Sequence, residues 1–307
     1  VEEQTGLSYA SQVKGKMHAC GHDLHMAATL GAAILLHQNR EKLHGTVRVI
    51  FQPSEENAQG AKWMVERGVL DGVDGIFGFH NRPNHPAGTI GLRTGPLLAS
   101  VDRFLVEIQG VGGHGGMPQQ SIDPIVTASQ MVTALQAVVS RNMSPFDPVV
   151  ISVTRFEGGN TWNVIPEKAV LEGTVRTLSP KARERLPELM ERTVQGIGAA
   201  YGATVRFQWD PFVPSVDNDP RFHALAQEVA RKMGYQVIEG EQITGGEDFS
   251  YFQTIIPGYF VWIYAGGDKE WHHPAYAPSD EATPVAANYL SQLLLQAGER
   301  WEGLMKE

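Results

Sequence analysis

The sequence lacks most features that mark membrane, disulfide-rich or nucleic-acid-binding proteins. Its 307 residues include one cysteine, Cys20, so no disulfide can form within the chain and nothing requires an oxidising compartment. The longest apolar runs, such as residues 30–36, are far shorter than the roughly 18 residues that suggest a membrane span. A net charge of −9 disfavours nucleic acid and anionic membranes as partners. We therefore expect a cytoplasmic protein without a nucleic-acid or membrane partner.

The start of the chain has no targeting signal and no methionine. Residues 1–4, Val-Glu-Glu-Gln, have neither the basic region nor the apolar stretch of a signal peptide. The missing methionine bears on whether the sequence is a whole protein. With about 150 residues per domain, the length predicts about two domains. The 42% hydrophobic and 19% charged residues are an ordinary globular balance.

Hydrophobic periodicity predicts an α/β arrangement in the first third of the chain. Residues 23–40 are rich in alanine and leucine at helical spacing, which predicts a largely buried helix. Residues 45–53 predict a strand ended by proline, and residues 58–67 a helix capped by Gly68. Residues 74–80 predict a short apolar strand. This alternation is typical of a mostly parallel α/β sheet.

The pattern changes in the middle of the chain and then changes back. The predicted order there is strand, helix, strand, strand, helix, strand, which is that of a ferredoxin-like α+β layer. Asp123 and Ser179, each followed by proline, are predicted N-caps of its two helices. The sequence therefore predicts an α/β domain, residues 1–98 and 213–307, interrupted by an inserted α+β domain over residues 99–212.

The densest group of reactive residues lies just before the first predicted helix. Three histidines, a thiol and a carboxylate occupy eight positions: His18, Cys20, His22, Asp23 and His25. A lone cysteine or histidine in such a loop would more often be a buried structural residue than a ligand. Thiolate, imidazole and carboxylate together are nevertheless the ligand set of zinc and its neighbours, so the cluster favours a metal site.

Three further segments offer similar groups. Glu55 and Glu56 follow a predicted buried strand, where adjacent carboxylates suit a division between metal binding and proton transfer, although paired acidic residues are usually a solvated loop. His80 ends another predicted strand, and His272 lies in a loop after the strand predicted near residues 259–265. Ligand sites in open α/β sheets lie beyond such strand ends, so the four segments together predict a site.

The inserted domain contains weaker candidates. His114 lies among four glycines, which let a backbone approach a ligand closely, and a histidine there could donate to a developing oxyanion. A flexible turn with an exposed histidine is an equally good interpretation. Asn163 and Arg176 are ordinary by themselves, although an amide and a guanidinium would suit a substrate carboxylate.

Eight short motifs together resemble the amidohydrolase subfamily of the M20 metallopeptidases, which includes hippurate hydrolases, N-acyl-amino-acid deacetylases and auxin-conjugate hydrolases. They occur in the family's order and span nearly the whole chain. The motifs are HACGHD at 18–23, FQPSEE at 51–56, FGFH at 77–80, GGH at 112–114, NVIP at 163–166, GTVRT at 173–177, GGEDF at 245–249 and HHP at 272–274.

The resemblance implies a centre of two divalent metal ions, Zn, Mn, Co or Ni, in each subunit. Cys20 would be the thiolate that bridges the two ions. His22 and His80 would complete the ligands of one ion. Glu56 and His272 would complete those of the other.

The resemblance also implies roles around this centre. Glu55 would be the general base for the attacking water. His114 would come from the partner subunit of a homodimer to stabilise the oxyanion, because the inserted domain serves as dimerisation and lid domain in this family. Asn163 and Arg176 would hold the substrate carboxylate. Asp23 would orient a ligand histidine from outside the ligand set.

The implied reaction is hydrolysis of N-acyl amino acids, for example N-acetyl amino acids, to a carboxylic acid and a free amino acid. A dipeptidase or carboxypeptidase on the same site is the nearest alternative. A thiol hydrolase using Cys20 with His22 would leave the remaining candidate ligands without a task. An inactive, truncated metal-binding relative is a further alternative, because family members carry an Asp-x-Asp strand just before the position that matches Val1.

Overall fold

The computed structural model describes residues 1–306, which form a mixed α/β structure as the sequence predicts. The α-helices of this part are α1 His22–Gln38, α2 Gly60–Glu66, α3 Pro124–Asn142, α4 Pro180–Tyr201, α5 His223–Lys232, α6 Ser250–Gln253 and α7 Ala282–Leu304. The strands are β1 Ile76–Arg82, β2 Thr89–Leu92, β3 Gly95–Leu98, β4 Ser100–Gln109, β5 Gly113–His114, β6 Val149–Gly158, β7 Val164–Ile165, β8 Lys168–Thr177, β9 Thr204–Val213, β10 Val216–Asn218, β11 Gln236–Glu239 and β12 Gly258–Tyr264.

The chain divides into two compact units. The first unit contains Val1–Leu97, Asp217–Gln242 and the described residues from Tyr251 onward. The second unit contains Leu98–Val216 and Ile243–Ser250. None of the helices in residues 1–306 has the length and apolar character needed to cross a membrane.

The first unit is built on a four-stranded sheet with the order β1-β12-β2-β11. Two of its strand pairs are parallel, β1 with β12 and β2 with β11, and β12 pairs with β2 in the antiparallel sense. Helices α1, α5 and α7 share one core with this sheet. Small residues bring α1 close to α7, since a Cβ on Gly31 would lie 2.9 Å from the Cβ of Ala287. This packing fixes the start of α1, where the reactive cluster lies.

The prediction of a strand over residues 45–53 is wrong. None of these residues is in a strand, and the side chains of Val49 and Phe51 are 39% and 50% exposed. Alternating apolar residues indicate only which side chains would share one face of a strand. A strand also requires a partner for its backbone groups, and no described strand pairs with this segment. As a result, Glu55 and Glu56 lie in a short 3₁₀ turn, Glu55–Asn57, and not at the end of a buried strand.

The second unit is built on an antiparallel sheet with the order β6-β8-β4-β9. Helices α3 and α4 bury their apolar sides against one face of this sheet. The core there contains Phe104 and Leu171 from the strands and Met131 and Leu186 from the helices, all fully buried. The elements of this unit follow the order β4, α3, β6, β8, α4, β9.

The Asp123 side chain caps the start of α3, where the sequence predicts an N-cap. Its carboxylate accepts hydrogen bonds from the backbone N–H groups of Ile125 and Val126. We expect Asp123→Ala to lower the free energy of unfolding by about 0.5–2 kcal/mol, because two backbone donors lose their acceptor. Urea unfolding measures the change. Asp123→Asn keeps an acceptor and is the matched control; equal losses in both variants would contradict the capping role.

Candidate active site

The Cys20 loop turns sharply into α1. Gly21 has a φ of 80°, a left-handed conformation that favours glycine, and a Cβ there would lie 2.5 Å from Nδ2 of Asn81. Only glycine fits this turn without displacing Asn81. The turn leaves Cys20 buried and makes His22 the first residue of the helix. The sulfur of Cys20 lies 3.4 Å from Nε2 of His80.

His80 is buried on β1 in an orientation suited to a ligand. Its Nδ1 lies 2.7 Å from the backbone oxygen of Asn81, and since that oxygen can only accept, Nδ1 carries the proton. Burial lowers the pKa of His80 to about 3, so the ring is neutral and Nε2 keeps a lone pair directed toward Cys20. Burial also lowers the pKa of His25, whose ring centroid is 4.4 Å from that of His80.

The two glutamates of the 3₁₀ turn have different neighbours. An oxygen of Glu56 lies 3.3 Å from Nε2 of His272 and 4.0 Å from Nε2 of His22. An oxygen of Glu55 lies 3.8 Å from Nε2 of His22. Burial lowers the pKa of His22, and the nearby Glu56 acts against this shift. Glu56 thus stands between two histidines, and Glu55 stands beside one.

The His272 loop joins the Cys20 loop directly. His272 has a φ of 64°, which is uncommon for a residue with a side chain, and its backbone N–H donates to the oxygen of Ala19 at 2.8 Å. The loop is also held by Trp271, whose ring centre lies 4.9 Å from the guanidinium carbon of Arg82. The arrangement brings His272 beside Glu56.

The five predicted ligands form two groups that share Cys20. Ligand atoms of Cys20, His22 and His80 lie within 4.8 Å of one another, and so do those of Cys20, Glu56 and His272. Two ligands at 2.0–2.3 Å from one ion are at most roughly 4.6 Å apart, so these separations fit a metal ion after small side-chain movements. The donors are sulfur, nitrogen and oxygen, which suit zinc and neighbouring divalent ions. The residues present therefore fit two metal ions with a shared thiolate.

Asp23 lies at the edge of this group. Its carboxylate is 4.0 Å from Nδ1 of His18, and both side chains are more than half exposed. The role predicted for Asp23, the orientation of a ligand histidine, stays a prediction.

His114 and Asn163 lie together in the second unit. The short strands β5 and β7 pair His114 with Val164, and the N–H of Gly115 donates to the oxygen of Asn163 at 2.9 Å. Nδ1 of His114 accepts the N–H of Gly116 at 3.0 Å, so a neutral ring carries its proton on Nε2. The exposed Nε2 is therefore a hydrogen-bond donor.

Arg176 is half-buried on β8 in the same unit. Burial lowers the pKa of its guanidinium, and the nearby carboxylate of Asp102 acts in the opposite direction. Asp102 itself is fully buried and pairs with Arg183, Nη2 to Oδ1 at 2.7 Å. A desolvated guanidinium beside a carboxylate that already has its own partner favours an additional anion.

Asn81 was not predicted from the sequence as a site residue. It contacts the Cys20 loop, His25 and the His272 loop through hydrogen bonds. The available signal was a polar residue directly after His80 within a strand whose last four residues are all buried. A fully buried polar side chain must be hydrogen-bonded, but the sequence does not say to which groups.

Comparison with known proteins agrees with this geometry. The model of Peptidase family M20/M25/M40 matches residues 1–296. N-acetylcysteine deacetylase of Bacillus subtilis is 53% identical over 293 residues, which are 95% of this chain and 77% of the relative. Thermostable carboxypeptidase 1 of Saccharolobus solfataricus is 39% identical over 274 residues, 88% of this chain and 69% of the relative.

A solved structure has the same fold. The YXEP protein of Bacillus subtilis, described as a dinuclear metal binding peptidase from the M20 family, superposes with a TM-score of 0.89 at 48% sequence identity. The match covers 97% of this chain and 78% of that one. The chain therefore belongs to Peptidase family M20/M25/M40.

Proposed function

We propose that this chain is a metal-dependent amidohydrolase that cleaves N-acyl amino acids, such as N-acetyl amino acids, to a carboxylic acid and a free amino acid. The observation that carries the proposal is the pair of ligand groups that share Cys20. The deacetylase name of the Bacillus subtilis relative, 53% identical, supports amide hydrolysis on an acylated amino acid.

The proposed centre holds two divalent ions, Zn, Mn, Co or Ni, in each subunit. Cys20 would contact both ions. His22 and His80 would hold one of them, and Glu56 and His272 the other. Bound ions of this kind lower the pKa of a water molecule and polarise a carbonyl group. The dinuclear description of the Bacillus subtilis structure supports this assignment.

Glu55 is the proposed proton carrier. Glu56 stands between His22 and His272, as a ligand would, whereas Glu55 contacts His22 from one side and is only 23% exposed. A carboxylate beside a ligand histidine can take the proton of the attacking water and then deliver it to the leaving amine, and this is the role proposed for Glu55. Asp23 is proposed to support the histidines from outside this set.

The second unit is proposed to bind substrate. The Nε2 donor of His114 would meet the oxyanion of the tetrahedral intermediate, and Asn163 with Arg176 would hold the substrate carboxylate. We further propose that residues 99–212, which make up most of this unit, are the inserted ferredoxin-like domain and act as a lid. The α/β remainder, residues 1–98 and 213–307, would carry the metal ions.

A homodimer is proposed through the second unit, with His114 acting in the partner's site. Strand β6 lies at one edge of the antiparallel sheet, and its Val150 and Phe156 are 40% and 43% exposed. A long edge strand with exposed apolar residues favours pairing with another chain. The remaining partner is the small acyl-amino-acid substrate. The cytoplasm is the proposed location, where Cys20 would stay reduced.

A dipeptidase or carboxypeptidase is the second candidate. The name of the Saccharolobus solfataricus relative, 39% identical, favours it. The chemistry at the proposed centre would be the same, and only the group on the acyl side would differ. Rates on an N-acetyl amino acid and on a dipeptide with the same C-terminal residue, measured side by side, separate the two candidates. An inactive metal-binding relative would cleave neither substrate.

Glu55→Gln tests the proposed proton carrier. We expect kcat on N-acetyl amino acids to fall by about 10²–10⁴-fold, because the amide cannot accept a proton. Metal content should not change, since Glu55 is not a proposed ligand. The control is Glu66→Gln, an exposed change at the end of α2. A kcat near that of the parent would overturn the role of Glu55.

Metal removal tests the shared thiolate. We expect a chelator to abolish turnover and a divalent ion to restore it. His80→Gln and His272→Gln should each weaken the binding of one of the two ions. Cys20→Ala should weaken the binding of both, because only Cys20 belongs to both of these groups. Metal content by elemental analysis gives the result, with the exposed His37→Gln as control. Activity that resists the chelator but requires Cys20 would favour a thiol hydrolase.

Mixed dimers test whether His114 acts in the partner's site. Glu55→Gln and His114→Ala chains should each be nearly inactive alone. If His114 acts across the dimer, each mixed dimer has one intact site, and a random mixture recovers about a quarter of the parent activity. Turnover after co-refolding at equal concentrations measures the recovery. No recovery, with mixed dimers shown to form, would place His114 in its own subunit's site.

A further inference from the structure

Asn81 connects β1 to the Cys20 loop and to α1. It is fully buried, and its side-chain amide donates to the backbone oxygen of Cys20 at 2.7 Å. Its backbone N–H donates to Nε2 of His25 at 2.9 Å, and the amide nitrogen lies 2.8 Å from the same atom. A backbone N–H can only donate, so Nε2 of His25 is the acceptor in this contact. The position of the Cys20 backbone therefore depends on Asn81.

Asn81 also connects β1 to the loop that carries His272. Its side-chain oxygen accepts a hydrogen bond from the hydroxyl of Tyr276, and its backbone oxygen accepts one from Nε1 of Trp271 at 3.1 Å. These two donors lie on either side of His272 in the sequence. The same backbone oxygen accepts the Nδ1–H of His80, which leaves Nε2 as the nitrogen with a lone pair toward Cys20.

We infer that Asn81 is a positioning residue that fixes the Cys20 loop, His80 and the His272 loop relative to one another. The binding of both proposed metal ions would therefore depend on it. The inference rests on the proposed function only in taking these segments as metal ligands. Asn81 has no ligand role of its own. Through the Cys20 backbone it acts on the one residue common to both ligand groups.

The chemistry of the site requires an asparagine. An amide offers two donors and one acceptor on a short side chain, and all three are used here, by Cys20, His25 and Tyr276. An aspartate at this position would keep the acceptor but would direct a carboxylate oxygen at the Cys20 carbonyl oxygen. Leucine has a similar shape and would remove the side-chain bonds to the Cys20 oxygen and the Tyr276 hydroxyl, while the backbone bonds of residue 81 would remain. Gly21 leaves little room for a longer side chain, because a Cβ built on it would lie 2.5 Å from the amide nitrogen of Asn81.

The test compares Asn81→Leu and Asn81→Asp with the parent by cobalt titration against a competing chelator. Thiolate-to-cobalt absorption reports the bond to Cys20, and the two titration steps report the two ions. We expect both ions to bind about 10- to 100-fold more weakly in each variant, the usual effect of removing a group that orients ligands. Tyr276→Phe removes only the side-chain bond between Asn81 and the His272 loop, and should have a smaller effect.

A second measurement needs no metal. In the metal-free protein, a disulfide reagent should modify the buried Cys20 at least about tenfold faster in Asn81→Asp than in the parent, because the loop has lost its anchor. The control is Asn288→Asp on α7, where the side-chain amide of an exposed asparagine donates to the backbone oxygen of Pro284. Circular dichroism shows whether each variant folds. If the Asn81 variants do not fold, the rate of Cys20 modification is measured in Tyr276→Phe instead.

Two results would overturn the inference. One is parent-like affinity for both ions together with an unchanged rate of Cys20 modification in the Asn81 variants. The other is a loss confined to a single ion, since a residue that aligns all three segments must affect both. If the parent itself binds no cobalt, the metal centre of the proposed function fails, and the thiol rates alone still decide the role of Asn81.

Discussion

The structure of the first unit has to hold electron-rich groups against one another. In one group the thiol of Cys20 lies within 4.8 Å of two imidazoles, and in the other it lies within 4.8 Å of an imidazole and the carboxylate of Glu56, where a deprotonated Cys20 would add negative charge. Such groups repel one another in a partly buried site unless a cation lies between them. Packing elsewhere must therefore supply the free energy that keeps them together. The packing of α1 against α7, and the pairing of β1 with the fully buried β12, provide that support.

Buried polar groups do the remaining positioning. Within the described residues, every buried side-chain nitrogen and oxygen has a hydrogen-bond partner. Near Cys20 those partners are shared, since Asn81 forms hydrogen bonds with both the Cys20 loop and the His272 loop. A shared network transmits a change at one ligand segment to the others. This property suits a proposed centre in which two metal ions use one thiolate.

Several parts of this fold were predictable because local chemistry decides them. The Ala- and Leu-rich residues 23–40 gave α1, and Asp123 before proline gave the start of α3. The candidate ligands were predictable because sulfur, imidazole and carboxylate groups are rare together at such spacing. By contrast, the predicted strand over residues 45–53 does not form. Its apolar pattern says nothing about whether a partner strand is available for its backbone groups.

The sequence by itself determined the kinds of candidate ligand, their order along the chain and the helices that precede or follow them. Only the tertiary structure supplied the distances that group Cys20 with two sets of side chains and put Glu56 between His22 and His272. It also decided the role of Asn81, whose partners come from segments about 60 and 190 residues away. The physical reason is that donor chemistry belongs to a residue, whereas distance and hydrogen-bond geometry belong to the packing of separate segments.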